Sequence, residues 1–297
     1  MSRLFDDYVM VDWSASAKPA TGADSIWVGV LKRDVRLQLR FEAHNPPTRK
    51  EAEALISRTL DELTRRGDRV LVGFDFPLGY PQGTAAALKL SATPAWAAMH
   101  AYIAREMKDK ADNANNRFQL AAMMNRTISG GPFPFWGCPP RDALSTLSTK
   151  KARPHGPDDV PEHRRGEALA KAASPVWKLY TAGSVGSQAL TGIPVVSRLR
   201  AARPAARLWP FETGWTPLTR ADLEGVDVVF AEIYPSILKP TPAPGEVKDL
   251  AQVRAIAEHF AALDERGALG AAFGPGKSAT EDDIAAVVGE EGWILGV

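Results

Sequence analysis

The segment YVMVDWSAS, residues 8–16, joins a run of strand-forming apolar residues directly to a carboxylate. Tyr8 to Val11 predict a buried β-strand, and Asp12 follows at its carboxyl end. A charged side chain at the end of a buried strand is costly unless another group pairs with it or uses it. The segment therefore predicts a central strand and a functional role for Asp12.

Two further apolar runs end in an acid in the same way. The run RVLVGFDFPLGYP, residues 69–81, reaches Asp75, and VDVVFAEIYPSIL, residues 226–238, reaches Glu232. One acid at a strand end is most often a helix cap or a surface residue, but three such ends favour a site. Because ligands of open α/β sheets gather at the carboxyl ends of strands, we expect the three acids to converge.

The order of predicted elements indicates an α/β fold. An antiparallel meander of three strands is followed by a helix, a strand, a long helical stretch, two more strands and two helices. In the first helix, Thr48 is the predicted N-cap and Gly67 marks the end. The prediction is one α/β domain over residues 1–297, with a mixed sheet and flanking helices, a core in about 1–81 and 207–297, and a mostly helical insertion in about 82–206 that covers the acidic cleft.

Composition and charge exclude several classes of protein. The 297 residues contain 36 Lys and Arg against 35 Asp and Glu, so the strong positive field of many nucleic-acid-binding proteins is missing. Cys138 is the only cysteine, which excludes a disulfide framework and fits a reducing compartment. The sequence shows no signal peptide and no apolar run of roughly 18 residues, so we expect a cytoplasmic protein without membrane contact.

The last predicted helix begins with a fourth pair of acids, Asp282 and Asp283. Acids in a first helical turn are favoured by the helix dipole, so this pair also has an ordinary structural explanation. If it joins the three strand-end acids, the cluster needs a hard divalent cation, because neighbouring carboxylates repel one another. Mg²⁺ or Mn²⁺ is the predicted cofactor, and two ions about 4 Å apart would suit phosphodiester hydrolysis.

Candidate substrate-binding residues lie in the insertion. Arg117 and Asn125 share one face of a predicted helix, although ordinary solvation explains them about equally well. Gly183 and Ser184 belong to a Gly-Ser turn whose backbone amides could hold a phosphate, with Lys178 nearby to add charge. The alternative is a flexible turn before a helix.

Two other stretches of the insertion allow a contact with nucleic acid. The segment 150–166 holds the densest basic cluster outside the helices, and it is either a phosphate contact or a solvated loop. The aromatic loop SGGPFPFWGCPPR, residues 129–141, would either stack bases or pack into the core. The cations and aromatic residues in question are Lys150, Lys151, Arg153, Arg164, Arg165, Phe133, Phe135 and Trp136.

The motifs VDWSAS, GFDFPLGYP, FAEIYPSIL and DDIAAVV, in this order, resemble a family of predicted nucleases with a ribonuclease H-like fold. The resemblance spans nearly the whole chain, since RFQLAAMMNR, PFWGCP and KLYTAGSVGSQALTGIP are similar to the middle region of that family. It implies a ribonuclease H-like sheet and metal ligands at Asp12, Asp75 and Glu232. The second aspartate of the family's final motif is Ala285 or Ala286 here, which leaves Asp282 or Asp283 as the last ligand.

The resemblance and the acids together predict a divalent-metal-dependent nuclease or phosphodiester hydrolase that acts on a nucleic acid or a nucleotide. Two alternatives remain open. One is a non-catalytic protein that binds a nucleotide or cofactor in a biosynthetic pathway. The other is a phosphotransferase of the actin and sugar-kinase type, which would require a second, duplicated core.

Overall fold

The strand predicted from YVMVD lies in the middle of a six-stranded mixed sheet. The structure is a computed structural model, and it describes residues 3–170 and 173–297. The strands are β1 (Asp7–Asp12), β2 (Trp27–Arg33), β3 (Leu39–His44), β4 (Val70–Phe74), β5 (Ala206–Leu208) and β6 (Val228–Glu232). Their order is β3-β2-β1-β4-β6-β5, with the first three antiparallel and β1, β4, β6 and β5 parallel. The α/β class and the opening meander are confirmed.

Helices cover both faces of the sheet. They are α1 (Arg49–Arg65), α2 (Thr84–Ala87), α3 (Ala95–Glu106), α4 (Arg117–Ser129), α5 (Arg165–Leu169), α6 (Gly186–Ala201), α7 (Lys248–Glu265), α8 (Leu269–Ala272) and α9 (Glu281–Ala286), followed by a π-helical turn, Val287–Glu291. Helix α1 begins as predicted, because the Thr48 hydroxyl accepts a hydrogen bond from the Glu51 backbone N–H at 3.2 Å. Within the described ranges, no helix is long and apolar enough to cross a membrane.

Alternating side chains divide the core into two layers. Val9 and Val11 of β1 pack with α1 and α6 on one face, whereas Tyr8 and Met10 pack with α7 on the other. Helix α6 approaches the first face closely, since a Cβ on Gly192 would lie 2.2 Å from the Phe76 ring. The insertion therefore contributes a helix to the main core as well as the cover above it.

The strand register decides which acids share a face. Val11 is aligned with Phe74 and Phe74 with Glu232, so Asp12 and Asp75 each lie one residue further along their strands. Because successive side chains of a strand point to opposite faces, the side chains of Asp12 and Asp75 lie on the face of the sheet that α7 covers. Glu232 follows the opposite face, under the insertion.

The phosphotransferase alternative would need a second core. Residues 3–170 and 173–297 form one sheet with one opening meander, and no duplicate of it occurs in those ranges.

A second buried carboxylate lies at the far end of β1. The Asp7 side chain is fully buried, its Oδ1 accepts a hydrogen bond from the Arg33 N–H at 2.8 Å, and its Oδ2 has no partner among the described residues. Burial raises the pKa of Asp7 to about 7, and the neighbouring Asp68 carboxylate adds to the rise while Arg66 opposes it. Folded Asp7 therefore keeps its proton in a pH range where the unfolded chain has lost it.

This difference predicts how stability changes with pH. A carboxyl group whose pKa is raised by folding stabilises the protein fully below its unfolded pKa near 4, and the contribution is lost as pH rises to about 7. The free energy of unfolding should fall by at least about 1 kcal/mol across that window. In Asp7→Asn this fall should largely disappear, because asparagine retains the acceptor and carries no charge. Urea denaturation of both proteins from pH 5 to pH 8 tests it, and parallel curves would contradict it.

Candidate functional site

A cavity of about 670 Å³ opens at the carboxyl ends of β1, β4 and β6. Asp12 and Asp75 lie on one side of it, and the segment 179–188, which leads into α6, lies on another. The segments after β1 and β6 and the first turns of α7 complete its walls. Its volume is that of a site for a small organic ligand.

The carboxyl groups of Asp12 and Asp75 adjoin each other, and each changes the pKa of the other. Burial raises the pKa of both acids, and in Asp12 the adjacent Asp75 raises it further. The described residues offer Asp12 no hydrogen bond from a backbone or side-chain N–H. Without a cation, burial and mutual repulsion therefore favour a protonated carboxyl group in this pair.

Trp13 holds this pair against α6. Its backbone N–H donates to Asp75 Oδ1 at 2.7 Å, and its indole Nε1 donates to Thr191 Oγ1 at 3.2 Å. The Gln188 side-chain amide donates to the Trp13 carbonyl oxygen. Trp13 thus fixes the distance between the acid pair and the N-terminal turns of α6.

Glu232 lines the cavity but is bound by an arginine. Arg164 Nη2 donates to Glu232 Oε1 at 2.6 Å, and Nη1 donates to Oε2 at 2.8 Å. Arg164 is only 1% exposed, and its Nε also donates to Glu167 Oε1 at 2.8 Å. The Leu78 N–H donates to Glu232 Oε2 at 3.1 Å. The structure therefore separates Glu232 from the Asp12–Asp75 pair and neutralises it with a fixed cation.

Asp282 and Asp283 lie on α9 and do not line the cavity. Asp283 forms a capping box with Thr280, and its Oδ1 accepts a hydrogen bond from Arg165 Nε at 2.8 Å. The hydrogen bond from the Thr280 backbone lowers the pKa of Asp283, so this carboxylate is satisfied where it stands. Asp282 and Asp283 therefore have the ordinary structural role of acids in the first turn of a helix.

In place of Asp282 and Asp283, two acids that the sequence analysis did not single out lie near Asp12. Asp249, in the first turn of α7, and Asp24, in the segment before β2, both line the cavity and both raise the pKa of Asp12. Asp249 Oδ2 accepts a hydrogen bond from the Asp24 backbone N–H at 2.7 Å. One feature of the sequence could have identified Asp249. It is an acid in the first turn of the helix that follows Glu232 along the chain.

The predicted substrate-binding residues divide between the cavity and the core. Arg117, Gly183 and Ser184 line the cavity, and Lys178 supports the same segment by donating from Nζ to the Ala182 carbonyl oxygen at 2.7 Å. Asn125 is fully buried elsewhere. Its side-chain amide pairs with the backbone of Phe135 and donates to the Thr146 carbonyl oxygen at 2.7 Å, so it organises the aromatic loop.

The basic segment 150–166 is largely neutralised by its own neighbours. Lys151 Nζ lies 2.7 Å from Glu162, Arg153 pairs with Asp159, and Arg165 pairs with Asp283 and Glu291. In the aromatic loop, Phe133 and Phe135 are buried. These contacts agree with the structural alternatives, namely a surface loop for residues 150–166 and packing into the core for the aromatic loop.

Two carboxylates are the acidic ligands that the site offers a metal ion. Among residues 3–170 and 173–297, no group of three His, Cys, Asp or Glu side chains is arranged to hold an ion. Mg²⁺ retains several waters and is commonly held by one or two carboxylates together with substrate phosphates. Asp12, partly buried and without an N–H partner among the described residues, together with Asp75, fits that requirement.

Comparison of the chain with protein-family models, with curated proteins and with solved structures gave no match.

Proposed function

We propose that this protein is a divalent-metal-dependent phosphodiester hydrolase with a ribonuclease H-like fold. The sheet order supports the fold, since an antiparallel meander leads through the central β1 into parallel β4 and β6. The observation that carries the function is the partly buried Asp12–Asp75 pair, which faces a cavity whose other wall holds Arg117 and the start of α6.

The two walls have opposite electrostatic preferences. The acid pair attracts a cation, whereas Arg117 and the positive end of the α6 helix dipole favour an anion. Mg²⁺ or Mn²⁺ held by Asp12 and Asp75, together with a phosphate near Arg117, would satisfy both walls at once. When bound, the cation supplies the positive charge that lets phosphate approach the carboxylates, and a Lewis acid for the hydrolytic water.

The protein's own residues hold and orient the reactants. Asp12 and Asp75 hold the cation, and the Trp13 N–H keeps Asp75 oriented through its hydrogen bond. Arg164 forms a bidentate ion pair with Glu232, so Glu232 is not free to bind a metal ion. The proposed site therefore takes one divalent ion rather than the two expected from the sequence.

The proposal predicts metal-dependent turnover that depends on Asp75. Purified protein should hydrolyse bis(p-nitrophenyl) phosphate with Mn²⁺ or Mg²⁺ and lose this activity in EDTA. Asp75→Asn should lower kcat/KM at least about 100-fold, because an uncharged amide is a poor ligand for a hard cation. The control is Asp222→Asn, an exposed acid outside the cavity. Equal activity of the parent in EDTA and in Mn²⁺ would refute the proposal.

A further inference from the structure

We infer that the site takes a small phosphodiester of nucleotide size, rather than an internal bond of a nucleic-acid strand. The inference rests on the proposed function and adds the class of substrate. Three features of the cavity lead to it: its limited volume, the acids on its walls, and a cation that has no acidic partner among the described residues.

The cavity has the dimensions of one small ligand. Its volume of about 670 Å³ lies within the range of small-molecule sites. Protein surrounds it on several sides, with residues 14–16, 179–185 and 234–236 all contributing to the walls. A strand bound across the Asp12–Asp75 pair would have to continue past these walls in two directions.

The charges around the cavity disfavour additional phosphates. Of the described residues, six acids and two arginines line it: Asp12, Asp24, Asp75, Asp249, Glu167, Glu232, Arg117 and Arg164. Asp24 and Asp249 adjoin each other through the 2.7 Å hydrogen bond and both act on Asp12. The phosphates that flank the scissile bond of a strand would face these carboxylates, whereas a small diester brings a single phosphate.

Several cations of the segment 150–166 that could bind a strand outside the cavity already form ion pairs within the protein. Three basic side chains of the segment 150–166 are held by acids of the same protein, namely Lys151, Arg153 and Arg165. Neutralised cations release few counterions when a polyanion approaches, so they add little affinity for a nucleic-acid backbone.

Arg117 is the cation that remains for the phosphate of a small ligand. Its Nε donates to Ser187 Oγ at 3.1 Å and its Nη1 to Asn115 Oδ1 at 2.9 Å, and no carboxylate of the described residues forms an ion pair with it. Burial lowers the pKa of Arg117 to about 10, and the positive charge of Arg49 adds to this. A half-buried guanidinium at the wall of a cavity is stabilised when an anion enters.

Other residues of the wall suit the remainder of a nucleotide-sized molecule. Tyr180, 44% exposed, offers an aromatic ring, and Ser14, Ser236 and Gln252 offer hydroxyl and amide groups. The reaction is balanced with water alone. The water oxygen bonds to phosphorus, the bond from phosphorus to one ester oxygen breaks, that oxygen leaves as an alcohol with one proton, and the other proton stays on the phosphate product or passes to solvent.

The test compares substrates of two sizes and one matched pair of variants. With Mn²⁺, kcat/KM for a cyclic nucleoside monophosphate or bis(p-nitrophenyl) phosphate should exceed that for any internal bond of a 20-nucleotide DNA or RNA at least about 100-fold. Arg117→Gln should raise KM for the small diester about 10-fold or more. Arg126→Gln, an exposed arginine on the same helix, should leave it unchanged.

Binding separates the failure of this inference from the failure of the proposed function. Calorimetry with AMP and Mn²⁺ should show a complex that Arg117→Gln weakens about 10-fold, while binding of Mn²⁺ alone is retained. Faster cleavage of oligonucleotides, or no AMP complex in a protein that binds Mn²⁺, would overturn the inference and leave metal-dependent hydrolysis standing. Absence of both Mn²⁺ binding and turnover would overturn the two together.

Discussion

Replacing Asp12 with asparagine is expected to reverse the order of stability between parent and variant when metal is added. In EDTA near pH 8, Asp12→Asn should melt no lower than the parent, because the substitution removes one of two repelling buried carboxylates. With Mn²⁺ at a hundredfold excess over its dissociation constant, the parent gains about 2.7 kcal/mol. At about 2–4 °C per kcal/mol, its Tm should rise by several degrees, and the variant should lose most of that rise.

Asp283→Asn is the matched comparison for this experiment. Asp283 was the alternative ligand in the sequence, but in the structure it caps α9 and binds Arg165 away from the cavity. This variant should retain the full Mn²⁺ shift, since asparagine also caps helices well. The proposed site would be disproved by an Asp12→Asn protein that is destabilised in EDTA beside a parent that does not respond to metal.

The second large effect is expected at Arg164. Arg164→Met leaves the buried carboxylates of Glu232 and Glu167 without their cation, and breaking a buried ion pair from one side typically costs about 3–5 kcal/mol. At about 2–4 °C per kcal/mol, the Tm should fall by about 6–20 °C. Removing the Glu232 charge as well, in Arg164→Met with Glu232→Gln, should recover part of the loss because one unpaired charge is gone.

A surface pair of the same segment provides the control. Arg153 pairs with Asp159, and the Arg153 side chain is 46% exposed, so Arg153→Gln should destabilise the protein far less than Arg164→Met. Urea denaturation of the four proteins gives the comparison. If Arg164→Met costs no more than Arg153→Gln, then Arg164 does not hold Glu232 in solution and a third carboxylate would be free to bind metal.

Local patterns in the sequence were sufficient for most of the sheet. Continuous apolar runs predicted β1, β4 and β6, and alternation with a turn predicted the meander. The cap of α1 was also readable, because a cap is formed by residues three positions apart, such as Thr48 and Glu51.

The sequence by itself thus determined that three buried strands each end in an acid, because strand propensity and apolar runs are local properties. Only the tertiary structure decided which acids meet. A one-residue difference in register sends Glu232 to the opposite face from Asp75, and register depends on partner strands more than 150 residues apart in the chain. Arg164 reaches Glu232 across 68 residues, and α7 brings Asp249 toward Asp12 across the sheet. Such pairings depend on packing between distant segments, and that information is absent from any single stretch of sequence.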